Sequence, residues 1–261
     1  MRESPALIES RAFGVRQIPA LRPLGWLARG WSDLMACPVP GLLHGLALAL
    51  FGAALIYVAR HRFWLLAGAF TGFLLVAPIL ATGLYAISRA LERKQRADLS
   101  VALGAWKPEG RLIVFGLLLA FAGTGWVMTS ASLITGFAPA PVNGPADFLR
   151  VVVLNDKTHL FEIWLALGAF LAAPVFASSV VAIPLLLDRK VGVLAAVLTS
   201  WRVVQAHPLP MAIWAGLLML LTVVGMLTGL LGLIVVVPWL SHASWHAYRD
   251  LVDTSALDEQ P

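Results

Sequence analysis

Long uninterrupted apolar runs dominate this sequence and leave few folds open to it. The stretches Val39 to Ala59, Phe63 to Ile87, Leu112 to Thr135 and Leu160 to Leu187 are each long enough to cross a bilayer as a helix, because about 20 residues rising 1.5 Å apiece match roughly 30 Å of hydrocarbon. A fifth run, Leu209 to Leu240, is too long for one span and reads as a tight hairpin turning near Val224 to Gly229, its second helix continuing toward Tyr248. With 59% of the residues hydrophobic and 13% charged, and a mean hydropathy of +0.83, a soluble core cannot hide the apolar surface. The expected fold is therefore all-α: a polytopic transmembrane helix bundle of about six spans, at 39–59, 63–88, 112–135, 160–187, 209–224 and 227–248. These fall in a single transmembrane domain, 21–250, between an N-terminal cytoplasmic arm, 1–20, and an acidic tail, 251–261, expected to fray from Asp253 onward.

An internal repeat organises the spans. Trp31 with Pro38 and Pro40 (WSDLMACPVP) matches Trp201 with Pro208 and Pro210 (WRVVQAHPLP) at an offset of 170, and a looser copy begins at Trp106 and Pro108. The runs APILATGLYAISRALERK around Pro78 and APVFASSVVAIPLLLDRK around Pro174 also align, and VPWLSHASWHAYRDL around Pro238 is a weaker third copy. Each unit then reads as an amphipathic interfacial helix followed by a hairpin of two spans, the second holding a proline. The stretches Leu21 to Met35 and Val191 to Gln205 mix Trp and Arg with apolar residues, the composition of a helix lying in the membrane interface.

Fifteen of the 19 basic residues fall on the side of the N-terminal arm in this arrangement, against Arg60, Arg62, Arg150 and Lys157 on the other. The positive-inside rule makes both ends cytoplasmic. The net charge of +5 is spread over these short segments rather than gathered on one domain, so no nucleic-acid partner is expected. The external segment Gly136 to Thr158, with Pro139, Pro141, Asn143, Gly144 and Pro145, reads as a loop. A lone Cys37 allows no intrachain disulfide and no multi-cysteine metal site.

Few residues offer chemistry. Ionisable groups within hydrocarbon are functional candidates by default, and His44 is the one well inside an early span. The mid-span prolines Pro78, Pro174 and Pro238 each remove a backbone donor and kink a helix; were the kinks to converge, they would open a cavity lined by His44, Thr82, Ser88, Ser178 and Ser179. His159 with Glu162, and His242 with His246, share helical faces but read as interfacial polar ends rather than metal sites. The pairs Gly68/Gly72 and Gly225/Gly229 have the spacing that lets helices approach closely. No phosphate loop, zinc-protease motif or nucleophile elbow is present.

The stretch RPLGWLARGWSDLMACPVPGLLHG, with its GW-x-D-L segment at Gly30 to Leu34, and the run LLVAPILATGLYAISRALERK resemble the bacterial integral membrane proteins grouped as domain of unknown function 2189. The resemblance extends from about Val15 to Val252 and implies a multi-span inner-membrane protein with no assigned activity. Members are sometimes labelled cytochrome c oxidase subunit I. A haem–copper subunit needs six histidines converging on its metals, whereas of His44, His61, His159, His207, His242 and His246 most lie at membrane edges, and on different sides. The function expected is non-enzymatic and without cofactor: a structural, assembly or lipid- and partner-contacting role, with lipids, other membrane proteins or a second copy as partners. The alternatives are a small transporter or channel at the proline-kinked spans and, more remotely, a haem-binding respiratory component through His44 with His242 or His246.

Overall fold

The computed structural model describes residues 4–59, 81–105 and 110–255. Outside them lie Pro78, His61, Trp106 and Pro108, the pair Gly68/Gly72, the expected span 63–88 up to residue 80, and the end of the tail. The protein is α-helical. Four helical segments among the described residues are long and apolar enough to cross a membrane, at Pro38–Tyr57, Gly110–Phe137, Leu160–Asp188 and Pro208–Leu227. The helices relevant below are α1 (Pro5–Arg11), α2 (Arg22–Ala36), α3 (Pro38–Ala59), α4 (Thr82–Glu92), α5 (Leu99–Gly104), α6 (Gly110–Phe137), α7 (Leu160–Ser179), α8 (Ala182–Asp188), α9 (Val193–Ala206), α10 (Pro208–Leu227) and α11 (Leu233–Leu251).

The repeat read from sequence has a structural counterpart. Helix α2 stops at Ala36 and α3 starts at Pro38, with Cys37 alone between them at φ −141° and ψ 69°. Helix α9 stops at Ala206 and α10 starts at Pro208, with His207 between them at φ −132° and ψ 58°. The same one-residue joint follows from the same chemistry: proline is accepted in a first helical turn, where no donor is needed, and pushes the residue before it out of the helical region.

The chain, read from sequence as one transmembrane domain, forms two compact units: Met1–Leu50 with Pro78–Phe115 and Phe176–Pro261, and Phe51–Ala77 with Gly116–Val175. In the second unit the Trp164 indole donates to Ser130 Oγ across α6 and α7 at 2.7 Å, and packs on Trp126 with ring centroids 5.5 Å apart. The segment expected to be a plain loop is partly helical. A helical turn at Pro145–Asp147 runs into a π-helix, Phe148–Val153, whose Val151 and Val152 are buried with Ile134, Val142 and Leu160. Its apolar FLRVVV run carries a buried face of its own, which the surrounding prolines masked in the sequence.

In the first unit α11 is the centre. It packs along α2 and also against α4, α8 and α10, so α4, α8 and α11, the helices that hold or follow the three aligned prolines, meet one another. The approaches are close: a Cβ on Gly30 of α2 would stand 2.5 Å from the Ala243 nitrogen, and one on Gly45 of α3 would overlap the Ile234 carbonyl oxygen. The turn between α10 and α11 lies at residues 228–232, slightly later than expected, where Gly229 (φ 66°) and Leu230 (φ 70°) take left-handed conformations. Gly225, from the expected glycine pair, packs across this turn beside Leu233, whereas Gly229 serves the turn itself.

The tail is not frayed at its start. Gly14–Val15 and Val252–Asp253 form a two-residue antiparallel pair, with Val252 and Thr254 buried and Arg16 bridging to Asp253 at 3.2 Å. Helix α1 covers α9, where Thr199 Oγ1 donates to Ser10 Oγ at 3.2 Å and Arg202 donates to the Ser10 carbonyl at 2.6 Å. Residues 10–16 and 252–254 are thus built into the first unit by backbone pairing and polar contacts that leave no hydrophobic signature in the sequence.

Candidate functional site

The polar half of α11 carries the site. Ser241, His242, Ser244, His246, Arg249 and Asp250 follow an apolar first half in this helix, and the 3.6-residue period puts His242 and His246 on one face. That face meets Asp33 of α2 and Ser88 of α4. Ser88 Oγ donates to Asp33 Oδ2 at 2.6 Å, His246 Nε2 lies 2.8 Å from the same oxygen, and His242 Nδ1 lies 2.8 Å from Ser88 Oγ. Three helices are joined through one carboxylate oxygen and one hydroxyl.

A hydroxyl has one proton to give. With Asp33 ionised, Ser88 gives it to the carboxylate, and His242 Nδ1–H donates to Ser88 Oγ. The bare Nε2 of His242 then faces α3, 3.8 Å from where a Cβ on Gly41 would stand, buried without a hydrogen-bond partner among the described residues. Burial pushes the Asp33 carboxyl upward, but the hydrogen bonds from His246 and Ser88 outweigh it and hold the group below the ordinary carboxylate value.

A second layer lies one turn further along α11. The Trp245 indole donates to Glu92 Oε2 at 3.0 Å and Arg249 Nε to Glu92 Oε1 at 3.0 Å, while the Tyr248 hydroxyl donates to Asp188 Oδ2 at 2.7 Å. Glu92 and Asp188 end α4 and α8 at matching positions of the repeat, each 14 residues beyond its aligned proline. Acids at helix C-termini oppose the macrodipole, and Arg249, Arg93 and Arg189 beside them supply the compensating charge. Asp250 closes the layer, accepting from Arg22 at 2.6 Å, from Trp26 at 2.8 Å and from Arg29. Burial raises the Asp250 carboxyl too, and its bonds from Arg22, Arg29 and Trp26 bring it below its usual value. An open pocket of about 360 Å³, lined by Arg16, Arg29, Asp33, Glu92, His246 and Arg249 among others, lies over both layers.

The two depressed carboxyls set a pH dependence. A group whose folded value lies below its unfolded one, about 3.9 for Asp, contributes stability that is complete above that value and is lost as pH falls through the folded value. Thermal unfolding of the detergent-solubilised protein should therefore hold steady from neutrality to roughly pH 5 and decline below roughly pH 4. Asp33→Asn should remove part of that decline.

Of the residues singled out in the sequence, Ser88 stands at the centre of this network. Thr82 is buried at the start of α4. Ser178 accepts from the Trp201 indole at 2.9 Å, Ser179 donates to the Phe176 carbonyl at 3.4 Å, and His44 Nδ1 lies 2.7 Å from the Pro40 carbonyl of its own helix. Pro174 and Pro238 lie inside α7 and α11. None of them lines the pocket of about 360 Å³, whose walls are mainly charged residues. Asp33, Glu92, Asp188 and Arg249 escaped the sequence reading. The GW-x-D-L segment holds Asp33, the one acid of α2, and Gly41-x-x-x-Gly45 has the close-packing spacing overlooked there.

The order of groups differs from that of a Ser-His-Asp triad. A triad places the imidazole between acid and hydroxyl; here the hydroxyl lies between acid and imidazole, and Ser88 is wholly buried. Among the described residues no three His, Cys, Asp or Glu side chains are grouped to hold a metal ion.

Four helical segments of spanning length and apolar composition define an integral membrane protein. The model of a family described as a predicted integral membrane protein, DUF2189, matches residues 65–188, which places that stretch, just under half of the chain, in the family its sequence resembles. The match includes the LLVAPILATGLYAISRALERK run and not the N-terminal segment from Arg22. No curated protein and no solved structure matches the chain.

Proposed function

We propose that the protein is a non-enzymatic, multi-pass component of the bacterial inner membrane, with both ends cytoplasmic, that supports the assembly of other membrane components through contacts rather than chemistry. The observation that carries this reading is the burial of the reactive groups against one another. Ser88 and His242 are fully buried, the acids Asp33, Glu92, Asp188 and Asp250 each hold side chains of this same chain, and such networks fix the register of packed helices. The distribution of basic residues supports the sidedness.

The test compares inner-membrane complexes of a deletion strain, resolved by native electrophoresis and mass spectrometry, with those of strains carrying the wild type or His242→Gln. The expected result is the loss of one or more assemblies on deletion and their return with either form. Should no assembly change, or should His242→Gln insert and fold at the wild-type level yet fail to restore them, a chemical role for the site replaces this reading.

A further inference from the structure

Helix α2 has three faces. Arg22, Trp26, Arg29 and Asp33 point to the polar layer and its pocket. Pro23, Leu27, Gly30 and Leu34 are buried. On the side away from the pocket run Leu24, Ala28, Trp31 and Met35, all exposed, with Leu24, Trp31 and Met35 at 52, 42 and 52%. A soluble helix would show polar residues there.

Helix α9 repeats the arrangement. Ala195, Ala196, Thr199, Ser200 and Val203 are buried under α1 and α8, while Leu194 (58% exposed) and Trp201 (37%) face outward with half-buried Leu198 between them. At the repeat offset Leu24 corresponds to Leu194, Ala28 to Leu198 and Trp31 to Trp201. The α2 stripe continues past the one-residue joint to exposed Val39 and Leu43 on α3; in α9 exposed Gln205 stands where α2 has Met35, and apolar exposure resumes beyond the joint at Leu209 on α10. Each short helix thus leads its exposed apolar stripe to a helix of membrane-crossing length, without a polar break in α2 and across the single Gln205 in α9.

We infer that α2 and α9 lie in the plane of one leaflet, their Trp-bearing stripes resting on lipid acyl chains, as a pair of anchors that hold the polar layer at headgroup depth. The inference deepens the reading above by making lipid the partner of these two faces, and it rests on that reading only for the chain's place in a membrane. Its physical basis is general. An amphipathic helix with Trp and Leu on one face settles at the boundary between headgroups and acyl chains, and the indole prefers that depth. The pocket on the opposite face of α2 fixes which side meets water.

Site-directed spin labelling of the full chain tests it, in vesicles of phosphatidylethanolamine and phosphatidylglycerol. On a Cys37→Ser background, labels are placed through Leu24→Cys, Ala28→Cys, Leu194→Cys and Leu198→Cys, with Leu43→Cys as the spanning reference and Gln95→Cys as the exposed one. The expected result is that molecular oxygen reaches the four test labels while a nickel chelate is excluded, their oxygen-to-nickel accessibility ratio exceeding that at position 95 several-fold and approaching that at position 43. Access by the nickel chelate at the level of position 95 overturns the inference, as does protection of one helix without the other. Exclusion of both reagents assigns the stripes to protein, a second copy included, and overturns it equally. None of these outcomes bears on the composition of membrane complexes, so this inference and the proposed function fail separately.

Discussion

Asp33→Ala should lower the stability of the solubilised protein by about 3 kcal/mol, more than any other single change in the polar layer. Each hydrogen bond to an ionised group is worth about 1.5–3 kcal/mol, and Asp33 accepts two, from Ser88 and His246. Part of that sum returns because the carboxylate no longer has to be desolvated. What remains is still large, because the partners stay behind: the Ser88 hydroxyl and the His242 ring are fully buried and lose the acid that set their proton order. Asp33→Asn should cost about half as much, since an amide oxygen still accepts one bond. The measurement is the temperature at which half of the protein survives heating as a monodisperse species in detergent. An Asp33→Ala variant as stable as wild type would mean that the network does not hold α2, α4 and α11 together.

How much of this was legible in the sequence depends on the range over which each feature is encoded. The apolar helices were readable, because a helix in lipid must satisfy its own backbone and so writes its length into a local run of residues. The one-residue joints at Cys37 and His207 were also foreshadowed, because proline acts on its immediate neighbour. The Asp33 network was not. Its bonds join residues 55, 154 and 213 positions apart, and a single aspartate among apolar residues looks the same whether it faces water or a buried serine. The tail misled for a related reason: Val252 and Asp253 are held by backbone pairing with Gly14 and Val15, which a short acidic sequence does not advertise. His242 and His246 were placed correctly on one face, but their partners come from two other helices, so periodicity identified the face and not its purpose.

Glycine provides the sharpest test of the packing around α11, because two glycines in the same helix should respond in opposite ways. In α2, a methyl group on Gly30 would stand 2.5 Å from the Ala243 nitrogen and 2.8 Å from its Cα, whereas one on Gly25 would meet nothing within 4 Å. The obstacle at Gly30 is backbone, which cannot rotate aside as a side chain would. Gly30→Ala must therefore push α2 off α11, stretching the bonds that Asp33 makes one turn further along; overpacking of this kind costs about 1–3 kcal/mol. Gly25→Ala fills open space and removes the excess freedom of an unfolded glycine, so it should leave stability unchanged or raise it by about 0.5–1 kcal/mol. The same contrast should appear in the spans. Gly45→Ala, directed at the Ile234 carbonyl, should destabilise at least as much as Gly30→Ala, and Gly216→Ala, facing open space on α10, should be silent. Thermal unfolding of the four variants gives the answer directly. If Gly30→Ala and Gly45→Ala melt with Gly25→Ala and Gly216→Ala, then α11 is not the tightly packed centre of its unit, and the polar layer must be held by its hydrogen bonds alone.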